Sequence, residues 1–224
     1  PQHTRCQLAE IADKEFNRMT DFPRLLQPGQ IGRVALRNRV VMPPMTTGYP
    51  YPDGNVSERT KAYYGARAAG GVGLIIVEAC LVHPLGKTFE HQISIYSDSF
   101  VPGLRQLTEA VHTEGARIFV QLHHGGLASR PDLTGQAPLA PSSVALPGRT
   151  PPRELTSDEI QELVEAHGQA ARRAKEAGFD GVELHGAHGY LINQFLSPFI
   201  NRRSDEYGGT PESRLRFALE CLRR

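Results

Sequence analysis

The chain has 224 residues, 39% hydrophobic and 22% charged, with 25 Lys and Arg against 24 Asp and Glu. That length can bury one sizeable core, and a net charge of +1 gives no electrostatic case for nucleic acid or an anionic membrane as partner. No apolar stretch approaches the length needed to span a bilayer, and the three cysteines, Cys6, Cys80 and Cys221, lie far apart without a CxxC, which excludes a disulfide framework and fits a reducing cytoplasm.

Residues 1–24 are polar and charged, unlike a secretory signal, and read as an N-terminal extension with a helix around Leu8 to Phe16. From Leu25 to Arg39 the turn pairs Pro28-Gly29 and Gly32-Arg33 flank short apolar pieces, the pattern of a small hairpin. Val40-Val41-Met42 is a short strand that Pro43-Pro44 must end, because proline cannot donate to a ladder. Met45, Thr46 and Thr47 then enter a loop. Ser57 to Ala69 predicts a helix with Tyr63, Tyr64 and Ala68 on one side, closed by Gly70-Gly71.

Val72 to Val77 is almost continuously apolar, as in a strand buried on both faces. Glu78, Ala79 and Cys80 follow at its exit. Leu104, Leu107 and Val111 set a helical period over Val101 to Glu114, and Ala116 to Gln121 is the next strand, with Leu122 to Gly126 as its exit loop. The segment 131–153 is long, proline-rich and aperiodic, a rim lid or an insertion.

Thr156 with Glu159 is a capping box opening a helix to Ala177 whose apolar side is Ile160, Leu163, Val164, Ala171 and Ala174. A strand over Phe179 to Leu184 leads into His185, His188 and Tyr190. Thr210-Pro211 opens a last helix with Leu215, Ala218, Leu219 and Leu222 on one face.

These are four strand–helix units, with Gly71, Gly115 and Gly178 each following a helix, and the α/β class with a parallel sheet follows. There is no GxGxxG after a strand and no GxxxxGK[ST]. Periodicity does not choose between a doubly wound sheet and a barrel, although small and polar residues at each strand exit suit a barrel rim.

The rim set is Pro43, Pro44, Met45 and Thr46, then Glu78, Ala79 and Cys80, then Gln121 and His123, then His185, His188 and Tyr190. It offers small residues for close approach of a flat ring, amide and hydroxyl donors, and imidazoles. A metal reading would draw on His185 and His188 with Glu78 or His123, but no HExxH supports it. Glu78 reads as a general base or as an acid salt-bridged within the fold. Of His123 and His124, one is expected at the rim and the other in packing. Ser57 and Ser197 lack a GxSxG context.

The sequence resembles the old yellow enzyme family, the FMN-dependent NAD(P)H:flavin oxidoreductases and ene-reductases. It is similar to the N-terminal barrel of bacterial 2,4-dienoyl-CoA reductase. The likeness runs from about Leu25 to the end, through Asn38 to Thr46, Gly71 to Ala79, Gln121 to Gly126, His185 to Pro198 and Asn201 to Gly209. It implies a TIM (β/α)8 barrel of which about four units are present over 25–224, a half or truncated barrel with 131–153 as a long rim loop.

FMN is the implied cofactor, NADH or NADPH the reductant, and a small-molecule alkene the substrate. Pro43, Pro44 and Met45 match the segment against the isoalloxazine, Thr46 the residue tuning it, and Ala79 the small residue beside it. Gln121 matches the amide at the pyrimidine edge, where His185 also reaches. His185 and His188 match the pair holding the substrate's activating oxygen, and Tyr190 the proton donor.

Two departures qualify the likeness. The loops that hold the FMN phosphate in the family are not in this sequence, so self-association or a C-terminal barrel half is the implied partner. The iron–sulfur cysteine cluster of the dienoyl-CoA reductase branch is also absent, and would lie beyond residue 224. The competing expectations are a half barrel that folds or oligomerises without catalysis, and a barrel metallohydrolase.

Overall fold

The computed structural model describes residues 22–224. The expected helix around Leu8 to Phe16, and most of the extension over 1–24, lie outside the described residues. A single turn of helix, α1 (Pro23–Leu26), precedes the antiparallel hairpin β1 (Gly29–Ile31) and β2 (Val34–Leu36).

The main sheet has four parallel strands in the order β3 (Val41–Met42), β4 (Leu74–Leu81), β5 (Arg117–His123) and β8 (Gly181–Leu184). Between them run α2 (Glu58–Ala69), α3 (Val101–Thr113) and α5 (Ser157–Glu176). Neighbours in sequence are neighbours in the sheet, as in consecutive units of a (β/α)8 barrel. The turns after α2, α3 and α5 use Gly71, Gly115 and Gly178 at φ of 96°, 75° and 90°, a region that a side chain makes costly.

Alternation along the strands separates two cores. Ile75, Val77, Ile118, Val120 and Leu122 point outward against Tyr64 and Ala68 of α2, Leu104, Leu107 and Val111 of α3, and Ala170 and Ala174 of α5. Leu74, Ile76 and Phe119 point inward and pack with Leu36 of the hairpin. Gly181, the register partner of Phe119, leaves room for that ring, since a Cβ there would lie 2.7 Å from it.

Two expected boundaries move. β4 continues to Leu81 through a register shift between Val77 and Cys80, so Glu78, Ala79 and Cys80 lie within the strand, Glu78 and Ala79 in its bulge, and not beyond it. β5 reaches His123, which therefore lies in the strand and not in the exit loop. The long segment 131–153 is not structureless: it holds α4 (Pro131–Thr134) and the strand β6 (Leu139–Ala140), which pairs in parallel with β7 (Arg153–Glu154).

The capping box forms as expected, Thr156 accepting from Glu159 N–H while the Glu159 carboxylate accepts from Thr156 N–H. The buried side of α5 also includes His167, whose Nδ1 lies 2.7 Å from the Leu163 carbonyl.

After β8 come α6 (Leu191–Leu196) and α7 (Pro211–Arg223). The apolar face expected on α7 is not the one most deeply buried, although its Ala218 packs against the core cluster. Phe217 and Cys221 are its buried residues, Phe217 stacking on Phe195 at 4.4 Å, whereas Leu215, Leu219 and Leu222 are exposed. α7 packs on α5 and α6, and that contact selects the Phe217–Cys221 face. Asn201 braces the connection, donating to the carbonyls of Phe195 and Tyr207 at 2.8 and 2.7 Å.

The two faces of α7 should therefore respond differently to truncation. Phe217→Ala is expected to cost about 3–5 kcal/mol of stability, and Leu222→Ala no more than about 0.5 kcal/mol. Urea titration of both variants checks this, and equal losses would mean that the exposed face is covered in solution.

Candidate functional site

The C-terminal ends of the four parallel strands deliver their side chains to one cleft of about 410 Å³. Pro43, Pro44, Met45 and Thr46 form one wall, Ala79 and Gln121 the floor, and His185, His188 and Tyr190 the opposite wall. Glu78, Cys80 and His123 of the rim set do not line it, but the nine residues matched to the family's site all line this one cavity. Phe89, from the segment after β4, joins them and was not signalled by any strand exit.

The first wall is held by Glu78. Its buried carboxylate accepts from the Thr47 N–H at 2.9 Å, the Thr47 hydroxyl at 2.6 Å and the Tyr64 hydroxyl at 3.3 Å. Burial raises the Glu78 carboxyl, and these hydrogen bonds oppose that shift. The salt-bridged reading of Glu78 is not met, because among the described residues it is tied to hydroxyls and a backbone amide and not to a cation. The bulge that seats Glu78 also sets Ala79 in the cleft floor.

The opposite wall is a tight turn after β8. His188 has φ 58°, the only non-glycine residue among the described ones with a left-handed backbone, a strain on the order of 1 kcal/mol. The turn is clamped from α6, where Asn193 accepts from Gly189 N–H at 3.1 Å and Gln194 donates to the Gly189 carbonyl at 2.6 Å. These clamps sit inside a motif the sequence singled out, but nothing in residue type announced their role.

The aromatic groups pack edge to face, with Tyr190 4.4 Å from His123 and 4.8 Å from His185, and His185 5.3 Å from His188. The Nδ1 of His185 accepts from Ala187 N–H at 3.4 Å. Burial, and then the neighbouring His188, lower its affinity for a proton. The ring is therefore held neutral with its proton on Nε2, a hydrogen-bond donor that carries no charge.

His123 and His124 do not divide between rim and packing, because both are buried. His124 has Nδ1 accepting from Gly126 N–H at 3.0 Å, and His123 lies under the wall, outside the cleft lining, with Nε2 3.1 Å from the Thr88 hydroxyl. Gln121 donates from Nε2 to the Glu183 carboxylate at 2.7 Å.

Residues 24–224 match the NADH:flavin oxidoreductase / NADH oxidase family. The chain belongs to that family. It is 53% identical over 209 residues to NADH oxidase of Thermoanaerobacter brockii, covering 92% of this chain and 32% of that protein. It is 48% identical over 200 residues to NADPH dehydrogenase of Geobacillus sp. (strain WCH70), covering 88% of this chain and 58% of that one. Among solved structures, morphinone reductase superposes with a TM-score of 0.86 at 40% identity, covering 90% of this chain and 58% of that chain.

The chain thus spans between about a third and about three-fifths of these relatives. With the old yellow enzymes also among its structural neighbours, at 37% identity for the homologue from Zymomonas mobilis, the sheet is four consecutive units of their TIM barrel.

The family's cofactors are FMN and, as reductant, NADH or NADPH. The cleft suits such a group. Pro43, Pro44, Met45 and Ala79 leave flat or small surfaces for a planar ring, and the Gln121 amide and His185 imidazole match a heteroaromatic edge that both donates and accepts.

The buried imidazoles give the chain a pH dependence of known sign. Burial pushes His123 down to about 3, and lowers His124, His167 and His185 as well. An unfolded histidine takes its proton near pH 6.5, so stability is full above that pH and falls as pH drops through the window. Between pH 7 and pH 5, His123 alone should remove about 2 kcal/mol, with the other three acting in the same direction. Urea titrations at pH 7, 6 and 5 measure this, and a flat profile would contradict neutral burial.

Proposed function

We propose that the chain supplies the substrate-facing half of an FMN-dependent oxidoreductase that uses NADH or NADPH to reduce activated C=C bonds. Enones, enoates and dienoyl thioesters are the proposed substrate class. The observation that carries this reading is the convergence of His185, His188 and Tyr190 on one wall of a cleft whose other walls are flat and small. FMN, when bound, supplies hydride for the β carbon of the alkene.

The chain's own residues do the rest. His185 and His188 donate hydrogen bonds to the activating carbonyl or nitro oxygen, and their pull strengthens as negative charge develops there. A neutral Nε2–H at His185 suits that task, because no proton needs to leave the imidazole. Tyr190 gives its phenolic proton to the α carbon, whose enolate-like charge after hydride addition makes it basic enough to accept a proton from a phenol. Thr46 adjusts the flavin through its hydroxyl, and Gln121 holds the pyrimidine edge.

The segment 131–153 is proposed as the rim loop that sorts substrates. Its Leu146 and Arg149 border a second cleft of about 430 Å³ that shares His188 and Tyr190 with the first. Operation in the cytoplasm is proposed with this reading; no described helix is long and apolar enough to cross a membrane.

A second reading draws on the apolar residues left bare. Leu222 is 71% exposed, and Leu215, Leu219 and the edge-strand residue Val182 are exposed as well. On this reading the chain folds or self-associates without catalysis and binds flavin weakly or not at all. Size-exclusion chromatography with light scattering and a visible spectrum, in the presence of FMN, separates the two. A flavin spectrum on a defined species supports the first, and a colourless species supports the second.

On the flavin-bearing species, Tyr190→Phe should slow alkene reduction by about 10²–10⁴-fold while leaving flavin reduction by NAD(P)H intact. Equal loss in both half-reactions would remove Tyr190 as the acid. Replacing His185 and His188 together by Ala should weaken binding of a phenolate ligand measured by its charge-transfer band, and unchanged binding would take the pair out of the oxygen-binding role.

A further inference from the structure

A terminal amide has nearly the same shape in its two orientations, so its surroundings must decide which end faces a ligand. At Gln121 the decision is visible. Gln121 and Glu183 are register partners on β5 and β8, both on the inner face of the sheet, and the Gln121 Nε2 lies 2.7 Å from Glu183 Oε1. A carboxylate only accepts, so the amide must turn its NH₂ toward Glu183.

That leaves the Gln121 carbonyl oxygen and one N–H for the cleft that Gln121 lines. The pyrimidine edge of an isoalloxazine carries one N–H, at N3, between two carbonyls. An amide in the opposite orientation would set NH₂ against N3–H, donor against donor.

We infer that Glu183 is a positioning residue: its carboxylate fixes the Gln121 amide so that the carbonyl oxygen accepts the flavin N3–H. Gln121 touches the flavin and Glu183 acts through it. The inference rests on the flavin reading of the cleft, and one arm of its test is independent of flavin.

The flavin-free arm uses the ¹⁵N-labelled chain. The Gln121 side-chain NH₂ signals, assigned with Gln121→Ala, should include one proton shifted downfield that moves as Glu183 titrates, and Glu183→Gln should abolish that behaviour. Ordinary Gln121 amide signals in the wild-type chain would overturn the inference whatever flavin does.

The second arm compares binding of FMN and 3-methyl-FMN, whose N3 carries no proton. Glu183→Gln is expected to weaken FMN by about tenfold and to leave 3-methyl-FMN unchanged. A merely structural role for Glu183 would weaken both alike, and that result, or no weakening of either, overturns the inference. If neither flavin binds while the amide signal behaves as expected, the flavin reading fails and takes the role given to the amide oxygen with it.

Discussion

The cleft depends on a buried carboxylate. Glu78 sits in the β4 bulge, taken out of water, and that desolvation would be prohibitive without donors. The Thr47 amide and hydroxyl and the Tyr64 hydroxyl supply them. Two consequences follow from the same contact. The loop from Pro43 to Thr47 is fixed to the second strand, so the cleft wall has a defined position although Met45 itself is 60% exposed. The bulge that admits the carboxylate also breaks the in–out alternation of β4, and that is why Ala79 reaches the cleft floor.

Much of this was legible in the sequence, for identifiable reasons. The glycines after α2, α3 and α5 mark the helix ends because only they tolerate the left-handed turn. Thr156 and Glu159 mark a helix start because two backbone amides need acceptors there. The strand exits gave the cleft because side chains at the C-terminal ends of parallel strands converge whatever the loops do.

What was not legible depends on partners distant in sequence. The bulge hid the true length of β4, and Tyr64, 14 residues before Glu78, decides what that carboxylate bonds. On α7, leucine spacing pointed to one face, yet Phe217 and Cys221 are buried, because α7 meets α5 and α6 through a cluster that already contains Phe195 and Tyr207. Glu183 carried no signal, since an acid within an alternating strand reads as a solvent-facing residue.

The exposed leucines of α7 share a cause with the exposed Val182 of β8. In a (β/α)8 barrel each helix covers two strands and each strand has two neighbours, while β8 and α7 are satisfied on one flank only. β3, at the opposite end of the sheet, likewise leaves Val41 exposed. The chemistry-bearing wall does not share this openness. The His185–Tyr190 turn is fastened to α6 through Asn193 and Gln194 and to β5 through the bond from His185 N–H to the Leu122 carbonyl at 3.0 Å.

This difference separates positioning from completion. A donor pair that must meet a developing negative charge needs a geometry set before the ligand arrives, and in this chain that geometry is local. Ala187 N–H fixes the His185 tautomer two residues away, burial keeps the ring neutral, and the left-handed backbone of His188 turns the second imidazole toward the first. The strain at His188 is held within this chain, by the clamps from α6 and by the bond to β5. The imidazole wall can therefore be in place wherever these four strands fold, whereas the apolar flanks depend on what covers them.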